Sequence, residues 1–170
     1  MTLRPLEPAD APLLWRMLHL AVHVPPGAEP PSPEAARSPP LARYVAGWMR
    51  EGDGGFAAEI DGEAAGAVWW RLWRGAERGY GWVDAHTPEA SMAVERAHRG
   101  RGIGTALLRA AVAEATTRHG GLSLSVSLSN PARRLYLREG FVPVVEFSGG
   151  SVTMVRRASV APPPEATRER

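Results

Sequence analysis

The chain has 170 residues, of which 44% are hydrophobic and 22% charged, with a formal net charge of +2 at pH 7. These values are typical of one soluble globular domain. No apolar run approaches the ~18 residues of a membrane span and the N-terminus lacks a signal-peptide core, so we expect a cytoplasmic protein. The chain has no Cys, and all 20 of its Lys and Arg residues are Arg. Disulfides, thiolate nucleophiles, Cys-ligated zinc, a Walker A lysine and Schiff-base chemistry are therefore excluded.

The first part of the chain predicts a strand, a helix and a long connection. Residues 2–7 are a strand candidate, and Asp10 and Pro12 open a helix with apolar periodicity. Residues 25–40 contain seven prolines and predict a long irregular loop. A short helix is predicted at residues 41–50.

The rest of the chain alternates strands and helices. Strands are predicted at 55–60, 64–73, 90–95, 122–129, 141–147 and 151–157, and helices at 103–118 and 131–139. Residues 122–129 alternate Leu or Val with Ser, a pattern that only a strand explains. The order predicts one mixed α/β domain over residues 1–157, followed by a disordered tail at 158–170.

A glycine-rich turn, Arg99–Thr105 (RGRGIGT), is the most informative segment. Its three alternate glycines let the backbone approach a ligand, and the helix that begins near Ile103 adds free N–H donors and a positive dipole end. Arg99 and Arg101 add positive charge, so the turn predicts a diphosphate site. Neither the Walker A pattern nor the dinucleotide pattern G-x-G-x-x-G fits this turn.

The turn resembles the signature Q/R-x-x-G-x-G/A of the GNAT superfamily of N-acetyltransferases, which Arg99–Gly104 matches in full. A second signature of that family, an Asn before a short helix with L-Y-x-x-x-G-F, is matched by Asn130–Phe141. The resemblance implies a mixed, mostly antiparallel sheet of about seven strands flanked by four helices. A splayed parallel pair of strands, 90–95 and 122–129, would form the acetyl-CoA cleft.

The resemblance also implies a set of coenzyme contacts. The pyrophosphate would bind at Arg99, Gly100, Arg101, Gly102, Ile103, Gly104 and Thr105, the pantetheine along Met92, Ala93 and Val94, and its distal amides at Asn130. No metal is expected. Because the chain has no Cys for an acyl intermediate, we expect direct attack by the amine in a ternary complex.

Two side chains are predicted to move protons. By resemblance, Tyr136 is the general acid for the leaving thiolate, with a purely structural core aromatic as the alternative. Glu89 is predicted to deprotonate the amine through water, with a solvated loop carboxylate as the alternative. The backbone N–H of Val94 is the expected oxyanion donor. Other candidates for the base are Asp84, His86, Glu95 and water itself.

The remaining aromatic and basic clusters each have two interpretations. Trp69, Trp70 and Trp73 are expected in the core or at an interface, and an aromatic wall of the acceptor pocket that includes Trp82 is the alternative. The arginines of the last short helix are expected to form a solvated face, with coenzyme phosphates as the alternative contact; they are Arg133, Arg134 and Arg138. No pattern of interleaved aromatic and basic residues indicates nucleic-acid binding. His19 and His23 lie four residues apart on the first helix, but without a third ligand nearby they do not predict a metal site.

These features together predict an N-acetyltransferase that uses acetyl-CoA and acts on a primary amine of a small molecule, peptide or protein. One alternative is a non-catalytic acyl-CoA sensor, and another is an acyltransferase for longer acyl-CoA donors. A homodimer is possible through the late strands or the Trp-rich hairpin, and no membrane partner is expected.

Overall fold

The computed structural model describes residues 1–159, which fold into a seven-stranded sheet with four α-helices. The strands are β1 (Thr2–Pro5), β2 (Gly54–Ile60), β3 (Glu63–Arg71), β4 (Glu89–Val94), β5 (Gly121–Ser127), β6 (Val142–Phe147) and β7 (Ser151–Arg157). The helices are α1 (Ala11–Ala21), α2 (Pro39–Ala42), α3 (Ile103–His119) and α4 (Ala132–Arg138). The predicted tail lies outside the described residues, apart from residues 158 and 159.

The strands follow the order β1-β2-β3-β4-β5-β7-β6 across the sheet. All neighbours are antiparallel except β4 and β5, which run parallel and have a single register pair, Glu89 with Ser123. Beyond this pair the two strands separate, and β4 remains paired only with β3 as far as Val94. The predicted mixed, mostly antiparallel sheet with one splayed parallel pair is confirmed.

Each face of the sheet has its own apolar core, and strand alternation divides the tryptophans between them. Trp69 and Trp73 pack with α1 on one face, whereas Trp70 packs with α3 and α4 on the other. All three tryptophans are buried, which confirms their predicted place in the core. The Trp-rich hairpin therefore offers no exposed aromatic surface for a dimer.

The proline-rich connection is more regular than the sequence predicts. A 3-10 turn spans Pro33–Arg37, and α2 already begins at Pro39 and ends at Ala42, so the predicted helix at 41–50 is wrong. Proline suits the first turn of a helix, because its φ angle is already helical and the N–H groups of that turn form no hydrogen bonds within the helix. Beyond Ala42 the backbone forms turns instead of a helix. The guanidinium of Arg71 donates hydrogen bonds to the carbonyl groups of Arg43 and Ala46 in this segment.

Strand β6 forms one edge of the sheet and exposes apolar side chains. About half of the surface of Val142, Val144, Val145 and Phe147 is exposed. Of the two surfaces that the sequence suggested for self-association, only the late strands carry exposed apolar side chains. In the part of the chain described, no helix combines the length and apolarity required to cross a membrane.

Candidate active site

The separation of β4 from β5 opens a cleft of about 1040 Å³ in the middle of the sheet. β4 forms one wall, and β5 with α4 forms the other. The first turn of α3 lies at one end of the cleft, and the end of α1 with part of the proline-rich connection lies at the other. The cleft is large enough for an extended ligand and lies where the resemblance implied an acetyl-CoA site.

The glycine turn presents backbone donors to this cleft. Gly100 and Gly102 have φ angles of 74° and 81°, in the left-handed region that favours glycine. The first hydrogen bond of α3 runs from the N–H of Ala106 to the carbonyl of Gly102, at 3.0 Å. The N–H groups of the helix residues before Ala106 therefore have no partner within the helix, which makes this end of α3 suited to an anion.

Six of the seven predicted residues of the turn line the cleft, and Arg101 does not. The guanidinium of Arg99 donates through Nε to the carbonyl of Val94 at 3.0 Å, so this side chain ties the turn to the end of β4. Arg101 contacts the cleft-lining His98, with 3.1 Å between its Nη1 and the Nδ1 of the histidine. Arg138 on α4 does line the cleft, whereas Arg133 and Arg134 do not.

The inner edge of β4 is open along the cleft. Met92, Ala93 and Val94 line it, and β5 pairs with none of them. The N–H of Glu95 donates to the carbonyl of Ala65 next to β3, at 2.8 Å. Because N–H groups alternate in direction along a strand, the N–H groups of Val94 and Met92 point to the cleft side. This edge can therefore pair with a peptide-like chain.

Asn130 and Tyr136 lie on the opposite wall. The Oδ1 of Asn130 accepts the N–H of Ala132 at the start of α4, at 2.9 Å, so its amide N–H₂ group is the part left for a ligand. The ring of Tyr136 packs edge-on against Phe141, 6.0 Å between centroids. Burial raises the pKa of Tyr136 to about 12. Tyr136 is thus both part of the core and a cleft-lining phenol that holds its proton at neutral pH.

Glu89, the first residue of β4, is a buried carboxylate that is 2% exposed. Its Oε1 accepts from the hydroxyl of Tyr44 at 2.7 Å and from the N–H of Gly81 at 2.8 Å, and its Oε2 accepts from Nε1 of Trp73 at 2.7 Å. Burial raises the pKa of Glu89, and the three donors oppose that rise. The alternative of a solvated loop carboxylate is wrong, because the connection from β3 folds back over the start of β4.

The other candidates for the base have structural partners instead. Partial burial opposes ionisation of Asp84, but Arg157 and nearby N–H donors lower its pKa to about 2. Glu95 forms an ion pair with Arg16, 3.0 Å between its Oε1 and Nε of the arginine. Neither residue lines the cleft, nor does His86, and Glu89 is the one carboxylate among the described residues that line it.

Sequence reasoning missed two tyrosines in the same cleft. Tyr44 and Tyr80 lie next to Glu89 with their rings nearly parallel, 6.5 Å between centroids. No local pattern marks them, since one follows a short helix and the other lies in an irregular connection. In contrast, the four tryptophans that were considered for an aromatic wall do not line the cleft; they are Trp69, Trp70, Trp73 and Trp82.

The two histidines of the first helical region also line the cleft. Nε2 of His19 lies 2.8 Å from the carbonyl oxygen of Pro31, and Nε2 of His23 lies 3.0 Å from the hydroxyl of Ser129. Both therefore bridge segments that form the cleft. Residues 1–159 contain no cluster of three or more His, Asp or Glu side chains that could hold a metal ion.

Solved structures of acetyltransferases share this fold. A ribosomal-protein-alanine N-acetyltransferase from Brucella melitensis is 22% identical, and the match covers 93% of this chain and 100% of that chain with a TM-score of 0.64. The GNAT domain of S. lividans PAT is 24% identical over 92% of this chain and 89% of that chain, with a TM-score of 0.65. The yncA protein of Salmonella typhimurium, a putative acetyltransferase solved with its cofactor acetyl-CoA, is 24% identical. The match covers 98% of this chain and 99% of that chain, with a TM-score of 0.63.

The model of the acetyltransferase (GNAT) family matches residues 15–141, which is most of the chain. The chain therefore belongs to the GNAT family, and the prediction of a GNAT-type N-acetyltransferase, an enzyme class that uses acetyl-CoA, is confirmed. No curated protein matches the sequence.

Proposed function

We propose that this protein transfers the acetyl group of acetyl-CoA to a primary amine by direct attack in a ternary complex. One observation carries the proposal: a single cleft joins a glycine turn, an open strand edge and a buried carboxylate. Residues 1–157 constitute the acetyltransferase domain. The acceptor is a small molecule or the exposed amine of a peptide or protein.

The cleft residues fit acetyl-CoA. The glycine turn with the first N–H groups of α3 would hold the pyrophosphate, since these donors have no helical partner. The open edge of β4 at Met92–Val94 would pair with the amides of the pantetheine arm, and the free N–H₂ group of Asn130 would donate to them. Of the predicted contacts in the turn, Arg101 does not line the cleft, and its side chain contacts His98, which does.

The chemistry requires two proton transfers. As the amine nitrogen attacks the thioester carbonyl, the new C–N bond forms and the amine proton passes to Glu89, directly or through water. A backbone N–H on the open edge of β4 donates to the oxyanion; that of Met92 lies nearer to Glu89 than that of Val94, which is about 16 Å along the strand from Glu89. When the C–S bond breaks, Tyr136 protonates the sulfur, and solvent then restores the proton of Tyr136 and removes that of Glu89. The raised pKa of both groups suits these roles.

The first test is calorimetric titration with acetyl-CoA, followed by CoA release in the presence of a panel of amines and amino-terminal peptides. We expect binding by the wild-type protein and turnover with at least one amine. Glu89→Gln should lower kcat/KM by ~10²- to 10⁴-fold without loss of acetyl-CoA binding.

The matched control is Glu95→Gln, which removes a carboxylate that does not line the cleft and should leave turnover near that of the wild type. Binding of acetyl-CoA without transfer to any amine would instead support a sensor. Turnover only with longer acyl-CoA donors would show that the protein is an acyltransferase for those donors and not for acetyl-CoA. If Glu89→Gln and Glu95→Gln were equally active, Glu89 would not be the base.

A further inference from the structure

The hydroxyl of Tyr44 lies between a fixed donor and the carboxylate of Glu89. It accepts the backbone N–H of Tyr80 at 2.7 Å and is 2.7 Å from Oε1 of Glu89. Because a backbone N–H can only donate, it takes an acceptor site of the hydroxyl and leaves the phenol proton for Glu89. Tyr44 therefore stabilises the ionised form of that carboxylate.

Buried side chains of β3, and Trp73 just after that strand, hold the backbone and the ring of Tyr44 in place. Nε1 of Trp69 donates to the carbonyl of Tyr44 at 3.1 Å, and Nη1 of Arg71 donates to the carbonyls of Arg43 and Ala46 at 2.5 and 2.7 Å. The ring of Tyr44 also packs perpendicular to Trp73, 5.3 Å between centroids. The direction of the hydroxyl is thus set by packing.

The donors are unequally distributed over the two oxygens of Glu89. Each carboxylate oxygen has two acceptor sites. Those of Oε1 are filled by Tyr44 and Gly81, whereas within residues 1–159 Oε2 receives one donor, Trp73, which leaves it one acceptor site. The backbone of Gly79 packs against this carboxylate: a Cβ there would overlap Oε2 and lie 2.7 Å from the hydroxyl of Tyr44, so only glycine fits beside the pair.

We propose that Tyr44 is a positioning residue for acetyl transfer: its hydroxyl holds Glu89 ionised and, together with the N–H of Gly81, fills Oε1, which leaves Oε2 as the oxygen that takes the proton of the amine. This inference rests on the proposed role of Glu89 as the base. It makes the segment after α2 a functional part of the enzyme, although that segment carries no family motif.

The charged and titratable groups around Glu89 are few. The guanidinium of Arg43 lowers its pKa from the same segment as Tyr44. Arg71 lies opposite Glu89 in the β3–β4 register, but its Nη2 is paired with Asp53 at 2.9 Å. Tyr80, in the connection between β3 and β4, contributes its backbone N–H to Tyr44. Loss of the Tyr44 hydroxyl therefore removes a main support of the Glu89 charge.

The test is Tyr44→Phe, which keeps the ring and deletes the hydroxyl. The pKa of Glu89 can be read from the indole N–H resonance of Trp73, assigned with Trp73→Phe, in the protein without an acceptor. We expect this pKa to rise by about one pH unit or more. The acidic limb of kcat/KM, measured with any amine that the enzyme accepts, should move upward by the same amount. Activity should recover at high pH, and the KM for acetyl-CoA should stay unchanged.

Tyr80→Phe is the matched control, because it deletes the hydroxyl of the neighbouring tyrosine and keeps the backbone N–H that donates to Tyr44. An equal shift in Tyr80→Phe, or no shift in folded Tyr44→Phe, would overturn the inference. Where Tyr44→Phe does not fold, 3-fluorotyrosine at position 44 replaces it. That residue is a stronger acid and donor, so it should lower the pKa of Glu89, and an unchanged pKa would contradict us.

The two proposals fail in different ways. If Glu89→Gln retains full activity, Glu89 is not the base and the proposed mechanism is wrong, whatever the resonance of Trp73 shows. If Glu89→Gln is inactive but Tyr44→Phe shifts neither the resonance nor the acidic limb, the mechanism stands and the role of Tyr44 is wrong.

Discussion

Two buried ionisable residues, Glu89 and Tyr136, face the same cleft, and burial raises the pKa of both. For the carboxylate this strengthens a base, since a group of higher pKa takes a proton more readily. For the phenol, the raised value of about 12 keeps the proton in place until a thiolate forms beside it. In the proposed mechanism, the same physical effect prepares one group to accept a proton and the other to donate one.

At this scale we predict that Tyr136→Phe slows turnover by ~10²- to 10⁴-fold, because it deletes the proposed acid. The ring contact with Phe141 is retained, so the unfolding midpoint and the calorimetric affinity for acetyl-CoA should stay close to the wild-type values. An unchanged kcat across the pH range would exclude Tyr136 as the acid.

At the scale of an element, the start of α3 uses its glycines in different ways. Gly102 caps the helix with a positive φ angle, and nothing lies within 4 Å of a Cβ placed there, so conformation alone requires glycine. Gly104 has an ordinary helical backbone. A Cβ at Gly104 would lie 3.6 Å from Leu135, 3.7 Å from Met92 and 3.8 Å from Val94, which are ordinary contacts with the walls of the cleft. The fold therefore does not require the small size of Gly104.

We accordingly expect Gly104→Ala to separate binding from stability. The free energy of unfolding should stay the same or rise by up to about 1 kcal/mol, because alanine is the better helix former. The affinity for acetyl-CoA should fall at least about tenfold, since one added methyl group occupies the cleft beside the helix N-terminus. Calorimetry and urea unfolding measure the two quantities.

Gly149→Ala serves as the control for this substitution, because Gly149 has open space around it in the turn between β6 and β7. It should change neither affinity nor, by more than a few tenths of a kcal/mol, stability. Equal affinity of Gly104→Ala and the wild type for acetyl-CoA would place the coenzyme elsewhere.

At the scale of the whole molecule, the sheet is two antiparallel halves joined at one point. β1 to β4 form one half and β5 to β7 the other, and their single register pair, Glu89 with Ser123, lies at the closed end of the cleft. Glu89 thus occupies the junction of the two halves, where it is buried because both halves and two connections meet. Its charge therefore has a cost for the fold.

This cost is measurable as a dependence of stability on pH. Because burial raises the pKa of Glu89 above its ordinary value of 4.5, the folded state binds more protons than the unfolded state between these two pKa values. The contribution of Glu89 to the free energy of unfolding is therefore at its full value below pH 4.5, and it declines as the pH rises through the pKa of the folded state.

We expect the stability of the wild type relative to Glu89→Gln to fall as the pH rises from about 4 to neutral, and then to level off. Urea unfolding of the two proteins in one series of buffers measures this difference and cancels the contributions of all other groups. A difference that is constant with pH would show that the pKa of Glu89 is the same in the folded and unfolded states.

The family, the glycine turn, the strand pattern and the position of Tyr136 can be predicted from the sequence, because each depends on residues close together in the chain. The glycines of RGRGIGT fix its backbone conformation, and the alternation in LSLSVSLS fixes which side chains share a face of the strand. Which carboxylate lies in the cleft follows only from the folded chain. Glu89 becomes buried because Tyr44, Trp73 and Gly81 reach it from segments up to 45 residues away, and no local pattern encodes such contacts.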